Sequence, residues 1–128
     1  MPLHIAVQGG NIEIVARLLE AGADPTARFA EPECQPLHLA VEQGDMEIAT
    51  LLLDHGAHVN DFYGWYVYGD SQSPLHIACQ EGPRDMVKLL LDRGADLEAR
   101  GHYGTALGFA VHFRQLDVVR MLLDKGAD

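Results

Sequence analysis

Residues Pro74–Gly82 read "PLHIACQEG", and the same phrase stands twice earlier, as "PLHIAVQGG" at Pro2–Gly10 and "PLHLAVEQG" at Pro36–Gly44. The spacings are 34 and 38 residues, and a looser fourth copy, "ALGFAVHFR" at Ala106–Arg114, follows 32 residues after the third. Self-similarity at this period is the mark of a repeat architecture. Pro2, Pro36 and Pro74 suit a first helical position, where a fixed φ helps and the missing N–H costs nothing. Ser73 and Thr105 stand where an N-cap belongs, with Gln35 and Met1 as weaker equivalents. The first helix of each unit is therefore short, about eight residues, ending near Gly10, Gly44 and Gly82.

A second helix follows in each unit. Ile14, Ile48, Met86 and Val118 form one apolar column, and Leu18, Leu52, Leu90 and Leu122 form another four residues on. Val15, Ala49, Val87 and Val119 run beside Leu19, Leu53, Leu91 and Leu123, which makes one wide stripe on a 3.6-residue period. Glu13, Glu47, Asp85 and Asp117 near the starts, and His55, Arg93 and Lys125 near the ends, complement the helix dipole. Gly22, Gly56, Gly94 and Gly126 then stop the helices as left-handed cap glycines. One helix pair cannot cover this stripe alone, but neighbouring pairs can, so the units stack into a solenoid. Leu3, Leu37, Leu75 and Leu107, with Ala6, Ala40, Ala78 and Ala110, join that core.

The pattern resembles the ankyrin repeat, whose signature is T-P-L-H-x-A at a period near 33. "SPLHIA" at 73–78 matches all but the first residue, "QPLHLA" at 35–40 is close, and "TALGFA" at 105–110 keeps the frame. The resemblance covers essentially all 128 residues. It implies an all-α helical repeat solenoid with β-turn or hairpin fingers, in one domain with repeats at about 1–34, 35–72, 73–104 and 105–128. It also implies a concave face of fingers and first helices that binds partner proteins, without catalysis or cofactor. Departures carry expectations of their own. The fourth unit lacks the proline and histidine, and Arg114 replaces the interhelical glycine, so its first helix should cap differently or run longer. Pro83 should sharpen its turn, and Pro25 should break the finger approach after Asp24.

Charge and composition exclude several functions. The net charge is −10; residues 1–64 carry ten acids and two bases, residues 65–128 nine acids and seven bases. Such a chain repels phosphate backbones, which argues against nucleic-acid binding. No apolar run reaches the roughly 20 residues that span a membrane, and the start does not read as a signal peptide. Cys34 and Cys79 form no C-x-x-C pair and suggest a reducing compartment, cytoplasmic or nuclear. His4, His38 and His76 occupy equivalent places in repeats about 10 Å apart, too far to share a zinc ion with ligands at about 2 Å. In the family such a histidine hydrogen-bonds within the turn region. The sequence has no G-x-S-x-G, P-loop or H-E-x-x-H pattern, so no enzyme or metal centre is expected.

The stretch "DFYGWYVYGDSQS" at 61–73 breaks the regularity and holds Phe62, Tyr63, Trp65, Tyr66 and Tyr68, five of the nine aromatic residues. Each ring can bury about 150–250 Å², on the order of 1,000 Å² together, beyond the roughly 300–600 Å² of a typical largest surface patch. Two readings stand: a self-packed satellite cluster, with "YVY" as a short hairpin strand, or a binding hot spot. By position in the family pattern, the exposed side of the first helices falls at Gln8, Glu42, Gln43, Gln80, Glu81, His112 and Phe113. Glu31, Pro32, His102 and Tyr103 lie toward finger tips. Leu116, Met121 and Leu122 look uncapped, so the chain is expected to be a segment of a longer array or to self-associate through its terminal repeats. The function expected is a non-catalytic protein-binding scaffold with the 62–68 finger as its main hot spot. The alternative is a structural spacer whose aromatics pack internally.

Overall fold

The structure, a computed structural model, describes residues 2–29, 33–64 and 71–127. Their elements are eight helices: α1 (Pro2–Gln8), α2 (Ile12–Glu20), α3 (Pro36–Gln43), α4 (Met46–Asp54), α5 (Pro74–Glu81), α6 (Arg84–Asp92), α7 (Ala106–His112) and α8 (Leu116–Asp124). Odd-numbered helices pack on one another in one layer and even-numbered helices in a second, each hairpin leaning on the next. Among the described residues no strand forms, only isolated antiparallel bridges at Phe29–Cys34, Tyr63–Gln72 and Gly101–Gly104.

Local chemistry sets the helix ends. Asn11 Oδ1 accepts from the Ile14 N–H at 3.1 Å and Asp45 Oδ1 from Ile48 at 3.0 Å, capping α2 and α4. Ser73 Oγ accepts from the His76 N–H at 3.4 Å at the start of α5, and Pro83 caps α6. Each outer helix closes with the paired bonds of a Schellman turn, such as Gly94 N–H to Leu91 O and Ala95 N–H to Leu90 O. Glycine follows the cap in every case, at positive φ from 85° to 98°.

Two expectations about the turns are corrected. At its start α7 does cap differently, without the proline and the capping box of α3 and α5, but Arg114 does not change the turn at its end. The helix α7 stops at His112, and Arg114 adopts φ 58°, the left-handed conformation that Gly44 and Gly82 adopt in the other copies. The Gln115 N–H to Ala110 O bond reproduces Asp45 to Ala40, so the tertiary turn dictates the conformation and arginine bears its cost. Arg114→Gly is therefore expected to raise stability by up to about 1 kcal/mol, since glycine carries no Cβ penalty at positive φ. A urea midpoint unchanged or lowered in that variant contradicts this. Pro25 likewise breaks nothing. Thr26 N–H donates to Asp24 Oδ1 at 2.8 Å, as Glu98 N–H does to Asp96 Oδ1 at 2.9 Å, and Pro25 takes the turn position of Leu97, where its fixed φ is favoured.

The unequal spacings have one cause. The residues between the bridged pairs are 30–33, 64–71 and 102–103, tips of four, eight and two residues. Spacings of 34, 38 and 32 differ by the same amounts, so the frame is constant and length varies only at the finger tips. Extra chain in a loop costs little closure entropy.

Burial shows which way each column faces. Ile14 is 48% exposed while Ile48, Met86 and Val118 are fully buried, and Ile5 is 64% exposed while Phe109 at the matching place is fully buried. These positions look toward the preceding repeat. Val111 is 59% and Leu123 54% exposed, whereas Val7, Val41 and Cys79 are fully buried, so these look toward the following repeat. Leu122, expected to be uncapped, is fully buried instead, because its column faces the preceding repeat: Leu52 and Leu90 are fully buried too, and Leu18 in the first repeat is only half-buried; Met121 is half-buried and Leu116 exposed.

Candidate functional site

His38 and His76 clamp the fingers to the first helices. A carbonyl can only accept, so His38 Nε2–H donates to Asp61 O at 2.9 Å and His76 Nε2–H to Ala99 O at 2.9 Å. On the other side of each ring, Nδ1 accepts the N–H of the helix cap, Gln35 at 3.4 Å and Ser73 at 3.0 Å. Both nitrogens are committed in the neutral state, and a second proton would face a backbone N–H. Burial, the largest cause, holds His38 down at about 4 and lowers His4 and His76 as well. His4 Nε2 reaches Cys34 O at 3.0 Å. These histidines thus hold the frame, and the described residues contain no group of three or more His, Cys, Asp or Glu that could hold a metal ion. Burial pushes the Cys34 thiol up to about 11 and Cys79 to about 12, so neither is an activated nucleophile.

The rings at the finger bases lie on those histidines. Phe29 packs on His4 with centroids 5.3 Å apart, Tyr63 on His38 at 5.5 Å and Phe62 on His76 at 5.8 Å. Phe62 and Tyr63 are accordingly half-buried. Trp65, Tyr66 and Tyr68, with the expected "YVY" hairpin strand, lie outside the described residues, as do Glu31 and Pro32.

The third finger departs from this rule and builds the most developed surface. Gly101 stands where Phe29 and Tyr63 stand. A Cβ there would come within 2.7 Å of Ser71 O and 3.1 Å of the Phe109 ring. Phe109 from α7 fills the vacated space and stacks on His76 at 4.5 Å. Gly108 replaces the motif histidine, and a Cβ there would collide with the Tyr103 carbonyl oxygen. That missing side chain lets the two-residue tip lie directly on α7. Tyr103 then stacks on His112 at 4.0 Å and meets Phe109 and Phe113 edge-on at 5.3 and 5.6 Å. His102 adds an edge contact to Tyr103 at 4.6 Å.

So the structure brings together four residues singled out by position, His102, Tyr103, His112 and Phe113. Three are exposed and Phe113 is half-buried. Tyr103 and His112 line a groove of ≈ 560 Å³ together with Arg100, Leu107 and Val111, and His102 and Phe113 pack against Tyr103. The other first-helix candidates stay apart from it. Glu42 and Glu81 are exposed; Gln43 Nε2 donates to Gln8 O at 2.9 Å, and Gln80 is half-buried, accepting from Gln72 at 3.5 Å. Gln80 and Gln43 therefore work partly as stitches between neighbouring elements. Sequence reasoning passed over Val111 and Arg100, and Leu107, expected in the core, is half-buried and lines the groove instead. The signal for the groove was the pair Gly101 and Gly108, where the fourth copy leaves its motif.

Paired short helices, glycine-stopped turns, finger hairpins and histidine clamps define a class, the ankyrin-type solenoid. A family model for ankyrin repeats (three copies) matches residues 1–63 and again 64–128, and the chain belongs to the ankyrin-repeat family. Members of this family generally mediate protein–protein interaction and are typically non-catalytic. No curated protein matches the chain.

Proposed function

We propose that the chain is a non-catalytic scaffold that holds a partner protein through its concave face and fingers, with the third finger as an anchor point. The observation that carries this reading is the stacked Tyr103–His112 pair lining an apolar groove, with Phe113 packed edge-on behind Tyr103. Aromatic side chains backed by packed neighbours give large contact area at small entropic cost. The 62–68 segment, with Phe62, Tyr63, Trp65, Tyr66 and Tyr68, is the other proposed hot spot, on its aromatic composition. The unpaired thiols fit a reducing compartment, cytoplasm or nucleus.

Capture from extracts of the source cells, with the retained protein identified and its affinity measured, tests the reading. Tyr103→Ala is expected to weaken that affinity about thirtyfold, the loss of a ~2 kcal/mol anchor, with the helical circular-dichroism spectrum retained. The double variant Trp65→Ala/Tyr66→Ala should weaken it similarly. Unchanged affinity in both variants rejects the concave-face reading; lost stability with nothing captured supports the spacer reading.

A second reading concerns self-association. Ile14 at one end and Val111 at the other are exposed where their internal copies, Ile48 and Met86 for the one and Val41 and Cys79 for the other, are fully buried, and Ile5, Leu116 and Leu123 stand exposed with them. We propose that these faces meet head to tail between copies. Sedimentation should then show a concentration-dependent rise in mass that Leu123→Lys abolishes, and a single monomeric species across micromolar concentrations removes the idea.

A further inference from the structure

The outer face of the last two repeats carries a feature that the concave-face reading does not use. A groove of ≈ 570 Å³ runs between α6 and α8, lined by Arg84, Lys88, Asp117, Arg120, Met121, Asp124 and Lys125. On α6, Arg84 and Lys88 are four residues apart and share one side. On α8, Asp117, Met121 and Lys125 are spaced by four, with Arg120 and Asp124 beside them, so one stripe of that helix forms the other wall. Four cations face two carboxylates around a thioether. The neighbouring groove between α4 and α6 is smaller, ≈ 240 Å³, and of opposite balance, with Lys88 against Asp85 and Asp92.

This concentration is unusual for a chain of net charge −10. Arg17, Arg28 and Arg93 are each spent on an ion pair, with Glu13, Glu33 and Asp54. Among the described residues Arg84, Lys88, Arg120 and Lys125 make none, although Asp117 and Asp124 stand in the same groove. Four of the six cations left without an ion pair therefore line one concavity. A groove with twice as many cations as carboxylates around one half-buried methionine fits a ligand that presents carboxylates on either side of an apolar side chain. We propose that the α6–α8 groove is a second docking site, on the convex face, for a short acidic peptide segment of a partner. Asp117 to Lys125 spans about 12 Å along the helix, the length of about four extended residues. The carboxylates would pair with Arg84 at one end, Lys88 and Arg120 midway and Lys125 at the other end, and the apolar side chain would lie on Met121.

Anisotropy of a fluorescein-labelled peptide, Glu-Glu-Leu-Glu-Glu, titrated with the full chain at 150 mM salt tests this. The Arg84→Glu/Arg120→Glu variant is expected to bind at least tenfold more weakly. Arg17→Glu/Arg28→Glu, an equal change of charge in the first repeat, should bind within twofold of the unaltered chain. Serine for the peptide leucine should weaken binding at least threefold. Circular-dichroism melts confirm that both variants fold. Absence of binding, equal losses in the two variants, or full displacement by inorganic polyphosphate at matched charge overturns the proposal. Salt-sensitive dimerisation that Arg84→Glu/Arg120→Glu abolishes, without peptide binding, overturns it in favour of a second copy's acidic half.

Discussion

Phe109→Ala is expected to lower the unfolding free energy by about 3–5 kcal/mol, the range for deleting a fully buried aromatic ring. The ring is fully buried, stacks on His76 at 4.5 Å and supports Tyr103 at 5.3 Å. Relaxation cannot recover much of this, because Gly101 and Gly108 have no side chains to move into the hole. Domain stability is typically about 5–15 kcal/mol, so a large share is at stake. Stability in stacked repeats is a sum of unit and nearest-neighbour terms. Phe109 belongs to the contact between the third and fourth units, and the variant should lose its fourth unit first. Urea unfolding followed by circular dichroism should show an earlier, broader transition with a reduced slope. A shift below about 1 kcal/mol with unchanged slope shows that Phe109 does not couple those units.

The second large effect is with pH. The clamp histidines are held neutral, so the unfolded chain, with histidine near 6.5, binds more protons than the folded one. Their contribution is complete above pH 6.5. It is lost as pH falls from 6.5 through the folded value, about 4 for His38. A gap of that size amounts to about 3 kcal/mol for His38 alone, and His4 and His76 act in the same direction. The melting temperature should fall steeply between pH 6.5 and 4. Asp24 and Asp61, whose carboxyls are lowered, add their losses only further down, below about pH 3.8. In His38→Gln, which cannot take up a proton, the slope in the histidine window should be shallower. A melting temperature flat from pH 7 to 4.5 contradicts the clamp assignment.

The Tyr103 groove illustrates how far the residues alone carry. His102, Tyr103, His112 and Phe113 could be placed on the binding face from their positions in the repeat. Their convergence could not, because it depends on two vacancies, Gly101 and Gly108, that read in sequence only as a weakened motif. The α6–α8 groove was less legible still. Arg84 and Arg120 lie 36 residues apart in the chain, and only the lateral packing of successive outer helices sets them on one concavity.

The periodicity of the chain determined the helix pairs, their order, their glycine stops and their stacking, because each of these follows from local sterics and from an apolar stripe that one pair cannot cover. Ile14 and Leu122 show what it left open. Both sit in regular apolar columns, yet one is half exposed and the other sealed, since burial depends on whether a neighbour exists on a given side. Arg114 shows the same for the backbone. Its identity argues against a left-handed turn, and the packing of α7 and α8 imposes one, because contacts across the whole repeat outweigh the preference of a single residue.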